Sequence, residues 1–234
     1  LLRLTGGLPF VNWTKDANAV KVNDFASWFP RDKSRIAIYG AKEKQPLSYA
    51  DLHDQINACP SYNERITVAL LLPLELRPEM AVALVSLLSQ PLVCVAPLDY
   101  NMPEAKMLDA FEQLGCTGIV TTAQLLQRLK ANDAHSHMKD VRIIRPIGTK
   151  AGAISWSVLG QTRMYQQSAV DPSFSANQPR LLLRTSGTTA EPKVVALRAS
   201  HLLHAGASLA YGLKLSSDDV SCCAMPLFHI GGIS

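Results

Sequence analysis

The chain has 234 residues, enough for one large domain or two small ones. Because 47% of the residues are hydrophobic and 18% are charged, the chain can bury a core, and the composition argues against disorder. The net charge of +4 suits small anions, but no run of Lys and Arg exceeds two residues, which argues against nucleic acid as a partner.

No apolar stretch reaches the roughly 18 residues of a membrane-spanning helix, so we expect no membrane span. The five cysteines include no C-x-x-C pattern, which predicts reduced thiols in a cytoplasmic protein. A peroxisomal location stays open. The sequence begins without Met and ends at Ser234 in an expected loop, so we expect a segment of a longer chain.

Strands and helices alternate along the first two thirds of the sequence. Strands are predicted at residues 35–39, 66–72, 92–96, 117–121 and 141–145. Helices are predicted at residues 24–29, from 48, at 78–89, from 103 and at 123–130. Ser48, with Asp51 three residues later, resembles a capping box, and Pro78 suits a first helical position. The alternation predicts an α/β fold with a doubly wound parallel sheet and crossover helices.

Residues 162–178 are polar and rich in Ser, so we interpret them as part of a linker. We therefore predict a first α/β subdomain at 1–161, a linker or long loop at 162–179, and the start of a second α/β subdomain at 180–234. Within the last part we expect a helix at 201–213 capped by Ser200, a turn at Asp218 and Asp219, and a strand at 221–228.

A predicted strand at 180–184 leads into the run TSGTTAEPK at 185–193, and a return strand follows at 193–197. Four hydroxyl side chains, one Gly and one Lys can offer donors and an ammonium group to an anion. The run is not a Walker loop, a G-x-G-x-x-G fingerprint or a G-x-S-x-G elbow. On the residues alone, an ordinary polar turn is the alternative.

TSGTTAEPK resembles the phosphate loop of the adenylate-forming (AMP-binding) superfamily, which includes acyl-CoA synthetases, 4-coumarate–CoA ligase-like enzymes, luciferases and amino-acid adenylation domains. The usual pattern is [ST]-S-G-[ST]-T-G-x-P-K-G, and Ala190 and Val194 stand where Gly is usual. A β-branched residue disfavours positive φ, so Val194 raises a question about the geometry of the loop. The following residues match the pattern: Thr185, Ser186, Gly187, Thr188, Thr189, Pro192 and Lys193.

Three further segments and one histidine resemble the same family. The run MPLFHIGG at 225–232 resembles its P-L-[FY]-H-x-x-G segment. LSYADL at 47–52 and VAPLD at 95–99 resemble its early helix start and strand end, and His201 matches a His that commonly opens the next helix. The resemblance implies an incomplete N-terminal domain of an adenylate-forming enzyme.

The resemblance implies an acid–CoA ligase that uses ATP, Mg²⁺ and CoA. A carboxylate attacks the α-phosphate of ATP to give an acyl-adenylate, and a thiol then displaces AMP. Positioning and charge stabilisation dominate such a reaction. The residues implied to hold the β- and γ-phosphates are Thr185, Ser186, Gly187, Thr188, Thr189 and Lys193, with Thr188 also approaching Mg²⁺.

His229 is implied to lie between the acyl pocket and the thiol tunnel. Adenylation domains for amino acids usually carry an Asp here, and a neutral imidazole cannot pair with an ammonium group. His229 therefore favours an aryl, fatty or short dicarboxylic acid. The alternative is a core histidine at a strand end, hydrogen-bonded to the backbone.

The family's Mg²⁺-binding Glu, ribose-binding Asp and catalytic Lys have no counterpart among these residues. We therefore expect no complete catalytic set, and no activity from the isolated chain. Two other functions stay open: an adenylation module that loads a carrier protein, and a truncated, non-catalytic nucleotide-binding or interaction protein. We expect no metal site in the chain, because Asp133, His135 and His137 lack a further ligand, and His201 with His204 lacks the H-E-x-x-H glutamate.

Overall fold

The computed structural model describes residues 30, 32–41, 43–131, 138–159, 178–185, 192–216 and 218–233. The strands are β1 Ile36–Ile38, β2 Leu47–Ser48, β3 Ile66–Leu70, β4 Val93–Pro97, β5 Gly118–Thr121, β6 Asp140–Pro146, β7 Ile154–Leu159, β8 Leu181–Arg184 and β9 Val194–Leu197. The helices are α1 Tyr49–Ala58, α2 Arg77–Leu88, α3 Glu104–Leu114, α4 Ala123–Ala131, α5 Ala199–Gly212 and α6 Ile230–Ile233, with a 3₁₀ turn at Leu74–Leu76.

Seven strands form one sheet in the order β7-β6-β5-β3-β4-β8-β9, and β1 and β2 form a small antiparallel pair. The five central strands are parallel, as predicted, whereas β7 and β9 run antiparallel at the two edges. The sheet is therefore mixed and mainly parallel. Strand β7 was not predicted, because its sequence ISWSVL alternates apolar and polar residues and lacks the continuous apolar run of a strand covered on both faces.

Both faces of the sheet are covered by helices. In β3, Val68 and Leu70 face the apolar cluster that includes residues of α1 and α2. The neighbouring Ala69 and Leu71 face the cluster that includes residues of α3 and α4. Because side chains alternate along a strand, one apolar run supplies both clusters, which is why β3 contains no polar face.

Two helix signals in the sequence are confirmed. The side chain of Ser48 accepts a hydrogen bond from the backbone N–H of Asp51 at 3.1 Å, and Asp51 bonds back to the N–H of Ser48, which completes the capping box. In α3 the apolar residues at helical spacing are buried: Met107, Ala110, Phe111 and Leu114. Gly115 ends α3 at φ 62°, a left-handed conformation that favours Gly.

Two local predictions near the carboxyl end are wrong. Helix α5 is preceded by Arg198 as its N-cap and begins at Ala199, so Ser200 lies inside the first turn. Residues 221–228 form no strand; this stretch contains Pro226, and half of its residues are exposed. The predicted turn at Asp218 and Asp219 is supported, because Asp219 accepts a hydrogen bond from the backbone N–H of Ser216 at 2.6 Å.

Other expectations lie outside the described residues. These are the helix at 24–29, the histidine cluster at 133–137 and most of the linker at 162–179. The described strands that follow the linker, β8 and β9, extend the same sheet as β3 and β4. The division into two subdomains stays a prediction. Among the described helices, none combines the length and the apolar character that a membrane crossing requires.

Candidate functional site

Strands β8 and β9 form an antiparallel hairpin around the predicted phosphate loop. The last register pair joins Arg184 to Val194. Beyond it, the N–H of Thr185 donates to the carbonyl oxygen of Lys193 at 2.9 Å, and the N–H of Lys193 donates to Oγ1 of Thr185 at 3.1 Å. The structure thus brings together the first and last residues of the predicted loop. The remaining predicted phosphate-binding residues lie outside the described part of the chain: Ser186, Gly187, Thr188 and Thr189.

The loop end of the hairpin lies at the carboxyl ends of the parallel strands, the side of the sheet that favours ligand binding. Strand β8 runs parallel to β4, so its carboxyl end and Thr185 lie at the edge where the parallel strands end. Ligands of open α/β sheets bind at this edge. The side chain of Gln113 in α3 donates to the carbonyl oxygen of Pro192 at 2.6 Å, which connects the loop to the helix layer.

Val194 does not need the backbone freedom of Gly. It is the first residue of β9 and pairs with Arg184, and Lys214 is the one non-Gly residue with positive φ among those described. A β-branched side chain suits a strand. The geometric question raised by Val194 is therefore answered, because the position is ordinary extended backbone.

The described part of the site contains one cation, Lys193, without a carboxylate partner. Thr185 and Lys193 are exposed, and the ammonium group of Lys193 forms no ion pair within the described parts of the chain. The hydroxyl of Thr185 uses an oxygen lone pair for the Lys193 N–H, so its O–H can still donate to a ligand. This arrangement presents a hydroxyl donor and a positive charge to an anion.

Arg180 anchors the base of the hairpin and was missed by the sequence analysis. Its side chain is 1% exposed, and its guanidinium group donates to the carbonyl oxygens of Leu88, Gln90 and Pro91. Burial lowers the pKa of Arg180 to about 10, which leaves it protonated at neutral pH. Arg180 thus ties the start of β8 to the carboxyl end of α2. The sequence offers only one signal, a charge at the start of an apolar run.

His229 lies in a turn before α6 and not at a strand end. Its backbone N–H donates to the carbonyl oxygen of Pro226 at 3.1 Å, and the centroid of its half-buried ring lies 4.7 Å from that of the Phe228 ring. No hydrogen bond among the described residues connects His229 to the hairpin. The substrate-binding role of His229 stays a prediction.

The other candidate side chains have structural roles in the described parts of the molecule. His201 and His204 are exposed and hydrogen-bond the backbone of Arg198 and Ser200. The described residues hold no group of three or more potential metal ligands. Cys59, Cys94 and Cys116 are buried, and burial raises their pKa values to about 12, 11 and 12, which disfavours a reactive thiolate.

The family model of the AMP-binding enzymes matches residues 25–234. The chain belongs to the AMP-binding enzyme family. The chain is 31% identical to a 2-succinylbenzoate–CoA ligase of Listeria monocytogenes over 131 residues, which are 55% of the chain and 28% of that ligase. It is 38% identical to the 2-succinylbenzoate–CoA ligase of Bacillus pumilus over 65 residues, 28% of the chain and 13% of the ligase.

Solved structures confirm the fold of this member of the AMP-binding enzyme family. O-succinylbenzoate coenzyme A synthetase (MenE) from Bacillus subtilis with AMP gives a TM-score of 0.58 at 23% identity, covering 86% of this chain and 48% of that one. ATP-bound MatB from Rhodopseudomonas palustris gives 0.65 at 19% identity, covering 91% and 41%. A MenE double mutant bound to its product analogue OSB-NCoA gives 0.58 at 22% identity, covering 86% and 38%.

The chain therefore spans less than a third of the curated relatives and less than half of these solved chains. It corresponds to part of the large N-terminal domain of adenylate-forming enzymes, which confirms the predicted family and α/β fold class. The relatives are acid–CoA ligases, and their structures hold AMP, ATP or a CoA-type product analogue.

Proposed function

We propose that this chain supplies the phosphate-binding part of an ATP-dependent acid–CoA ligase. The observation that carries the proposal is the pairing of Thr185 with Lys193 at the carboxyl edge of the sheet, in a chain of the AMP-binding family. That pairing joins the two ends of the run TSGTTAEPK, whose sequence resembles the family's phosphate motif. It leaves one ammonium group and one hydroxyl donor available to a phosphate.

In the proposed reaction, a substrate carboxylate oxygen bonds to the α-phosphorus of ATP, and the bond to the β-phosphate oxygen breaks. Pyrophosphate leaves with the bonding electron pair. The ammonium group of Lys193 offsets the charge that develops on the leaving β- and γ-phosphates, and the hydroxyl of Thr185 donates to one of their oxygens. A thiol then attacks the acyl carbon and AMP leaves. The four loop residues from Ser186 to Thr189 would supply further donors, and Mg²⁺ would arrive with ATP.

We propose CoA as the thiol and an aryl, fatty or short dicarboxylic acid as the substrate. Relatives named for 2-succinylbenzoate and a MenE structure with a CoA-type product analogue favour an aryl acid and CoA. His229 would face the acyl group. Because an imidazole has no carboxylate that could pair with a substrate ammonium group, this residue fits an acid without such a group. Loading of a carrier protein instead of CoA is the alternative, and it would use the same hairpin.

Lys193→Gln should weaken ATP binding by this chain about tenfold, because it removes a charge-assisted contact to the phosphates. AMP binding should change little, because AMP lacks the β- and γ-phosphates. Isothermal titration calorimetry with both nucleotides measures the difference. Lys139→Gln is the matched control, because it removes an equal charge from an exposed residue immediately before β6. Lys139 lies at the amino ends of the parallel strands, whereas the hairpin loop lies at their carboxyl ends.

Equal ATP affinities of the Lys193→Gln and Lys139→Gln variants would contradict a phosphate-binding role of the hairpin. Such a result would favour the third function left open by the sequence, a non-catalytic interaction protein.

We also expect the 234 residues alone to bind nucleotide without turnover. The motif that positions the leaving pyrophosphate is present, whereas the family's Mg²⁺-binding Glu and catalytic Lys have no counterpart here. ATP–pyrophosphate exchange in the presence of 2-succinylbenzoate is the measurement. Exchange above a control lacking the acid would show that these residues already form a complete catalytic set.

A further inference from the structure

Arg184 is the last residue of β8, and its positively charged side chain has no partner in the described structure. Its side chain is half-buried, and its Nε atom is fully buried without a hydrogen-bond partner. No ion pair of the described residues includes Arg184, although the next residue, Thr185, begins the phosphate motif. In the sequence, Arg184 is only the last residue of the predicted strand at 180–184.

Arginine stays protonated in proteins and has five N–H donors but no acceptor, so it cannot reduce the cost of burial by losing its charge. A buried donor without a partner costs stability, and a partly buried cation without an anion costs more. An anionic ligand at the end of the hairpin would give the buried donor a hydrogen-bond partner and the cation a negative charge. A carboxylate from a part of the chain outside the described residues is the competing explanation.

The strand register shows how Arg184 approaches the end of the hairpin. Side chains alternate along a strand, so Arg184 lies on the same face as Leu182, which packs against the α3 side of the sheet. Arg184 and Val194 form the last register pair. Thr185 follows Arg184, and Lys193 precedes Val194, so the side chains of Thr185 and Lys193 point to the opposite face. The two cations therefore start from opposite faces of the hairpin, next to its last register pair.

We propose that Arg184 is a second phosphate-binding cation, which holds a condensed phosphate together with Lys193. The inference rests on the proposed function, and it assigns a residue outside the loop motif. The ligand class is the β,γ-diphosphate portion of a nucleoside triphosphate, or free pyrophosphate. A guanidinium group suits this ligand, because its planar fork can donate two parallel N–H bonds to phosphate oxygens.

The test is calorimetric titration of the chain with ATP, inorganic pyrophosphate and AMP, combined with thermal unfolding without ligand. Arg184→Gln should weaken ATP and pyrophosphate binding about tenfold and leave AMP binding unchanged. Arg184→Lys, which keeps the charge but loses the fork, should fall between wild type and Arg184→Gln. Without ligand, the midpoint of unfolding of Arg184→Gln should equal or exceed that of the wild type, because an unpaired cation is removed.

Arg145→Gln is the matched control. Arg145 is an exposed arginine near the end of β6, and β6 is four strands from β8, or roughly 19 Å across the sheet. Its replacement removes the same charge without touching the hairpin. Weaker ATP binding without weaker pyrophosphate binding would mean that Arg184 acts elsewhere on the nucleotide, and would overturn the proposal.

The remaining outcomes separate the two proposals. If Lys193→Gln weakens ATP binding and Arg184→Gln behaves like Arg145→Gln, Arg184 is not a ligand and only the further inference fails. If Arg184→Gln lowers the midpoint of unfolding without ligand, its partner is a protein carboxylate and the inference is overturned. If the wild type binds neither ATP nor pyrophosphate, both proposals fail.

Discussion

Replacing Arg180 with Met should lower the free energy of unfolding by about 3 kcal/mol, although Met is apolar and of similar length. The guanidinium group is 1% exposed and donates to Pro91 O at 3.1 Å and to Gln90 O at 2.5 Å, with a further bond to Leu88 O. Without it, the buried carbonyl oxygen of Leu88 and the partly buried ones of Gln90 and Pro91 lose their charged donor, and the loss at a buried group costs about 1–3 kcal/mol.

The loss should extend to the site, because the side chain of Arg180 fixes the start of β8 against the carboxyl end of α2, although its backbone bonds to the two neighbouring strands stay in the variant. Its N–H donates to Leu197 O of β9 at 2.8 Å, and its carbonyl oxygen accepts from the N–H of Val95 in β4 at 2.9 Å. The residue therefore fixes the hairpin against α2 through its side chain and against β4 through its backbone. Arg180→Met should weaken ATP binding as well as stability.

Urea-induced unfolding measures the first effect, and Arg145→Met, an exposed arginine on β6, is the control. A destabilisation below about 1 kcal/mol would show that the carbonyl oxygens find other donors in the variant. Full ATP affinity in a destabilised variant would separate the anchoring of the hairpin from the binding of phosphate.

The centre of the fold could be predicted because burial on both faces leaves a strong sequence signal. Strands β3, β4 and β5 are mainly apolar and buried, and α3, between β4 and β5, has an apolar face that can be recognised locally. The edges could not be predicted in the same way. Strand β7 is half-exposed and alternates, whereas residues 221–228 contain an apolar stretch that pairs with nothing in the described sheet.

The site was predicted only as far as its motif reaches. Thr185 and Lys193 belong to a contiguous pattern, and the structure places them in contact. Arg180 contacts residues about ninety positions earlier in the chain, and Arg184 is distinguished by what surrounds it. The sequence around these arginines reveals neither the contacts of Arg180 nor the surroundings of Arg184, because both depend on the pairing of β8 with β4 in the sheet.

A second buried arginine should show a comparable effect far from the hairpin. Arg142 in β6 is fully buried, with Nε 2.8 Å from Oδ1 of Asp140 and the guanidinium carbon 3.4 Å from the centroid of the Tyr62 ring. It also donates to the carbonyl oxygens of Pro60 and Ser61, which lie between α1 and β3. Arg142→Met should cost about 3–5 kcal/mol, because it leaves Asp140 without its counterion.

The cost should arise mainly from that uncompensated carboxylate, and a double-mutant cycle tests this. If so, Arg142→Met combined with Asp140→Asn should be more stable than the single Arg142→Met variant, because the remaining side chains carry no unpaired charge. Additive losses in the cycle would instead assign the stability to the carbonyl contacts and the Tyr62 ring, to which a cation–π contact contributes about 0.5–2 kcal/mol. Either result would show whether Arg142 stabilises the sheet through its charge pair or through the loop that it fastens.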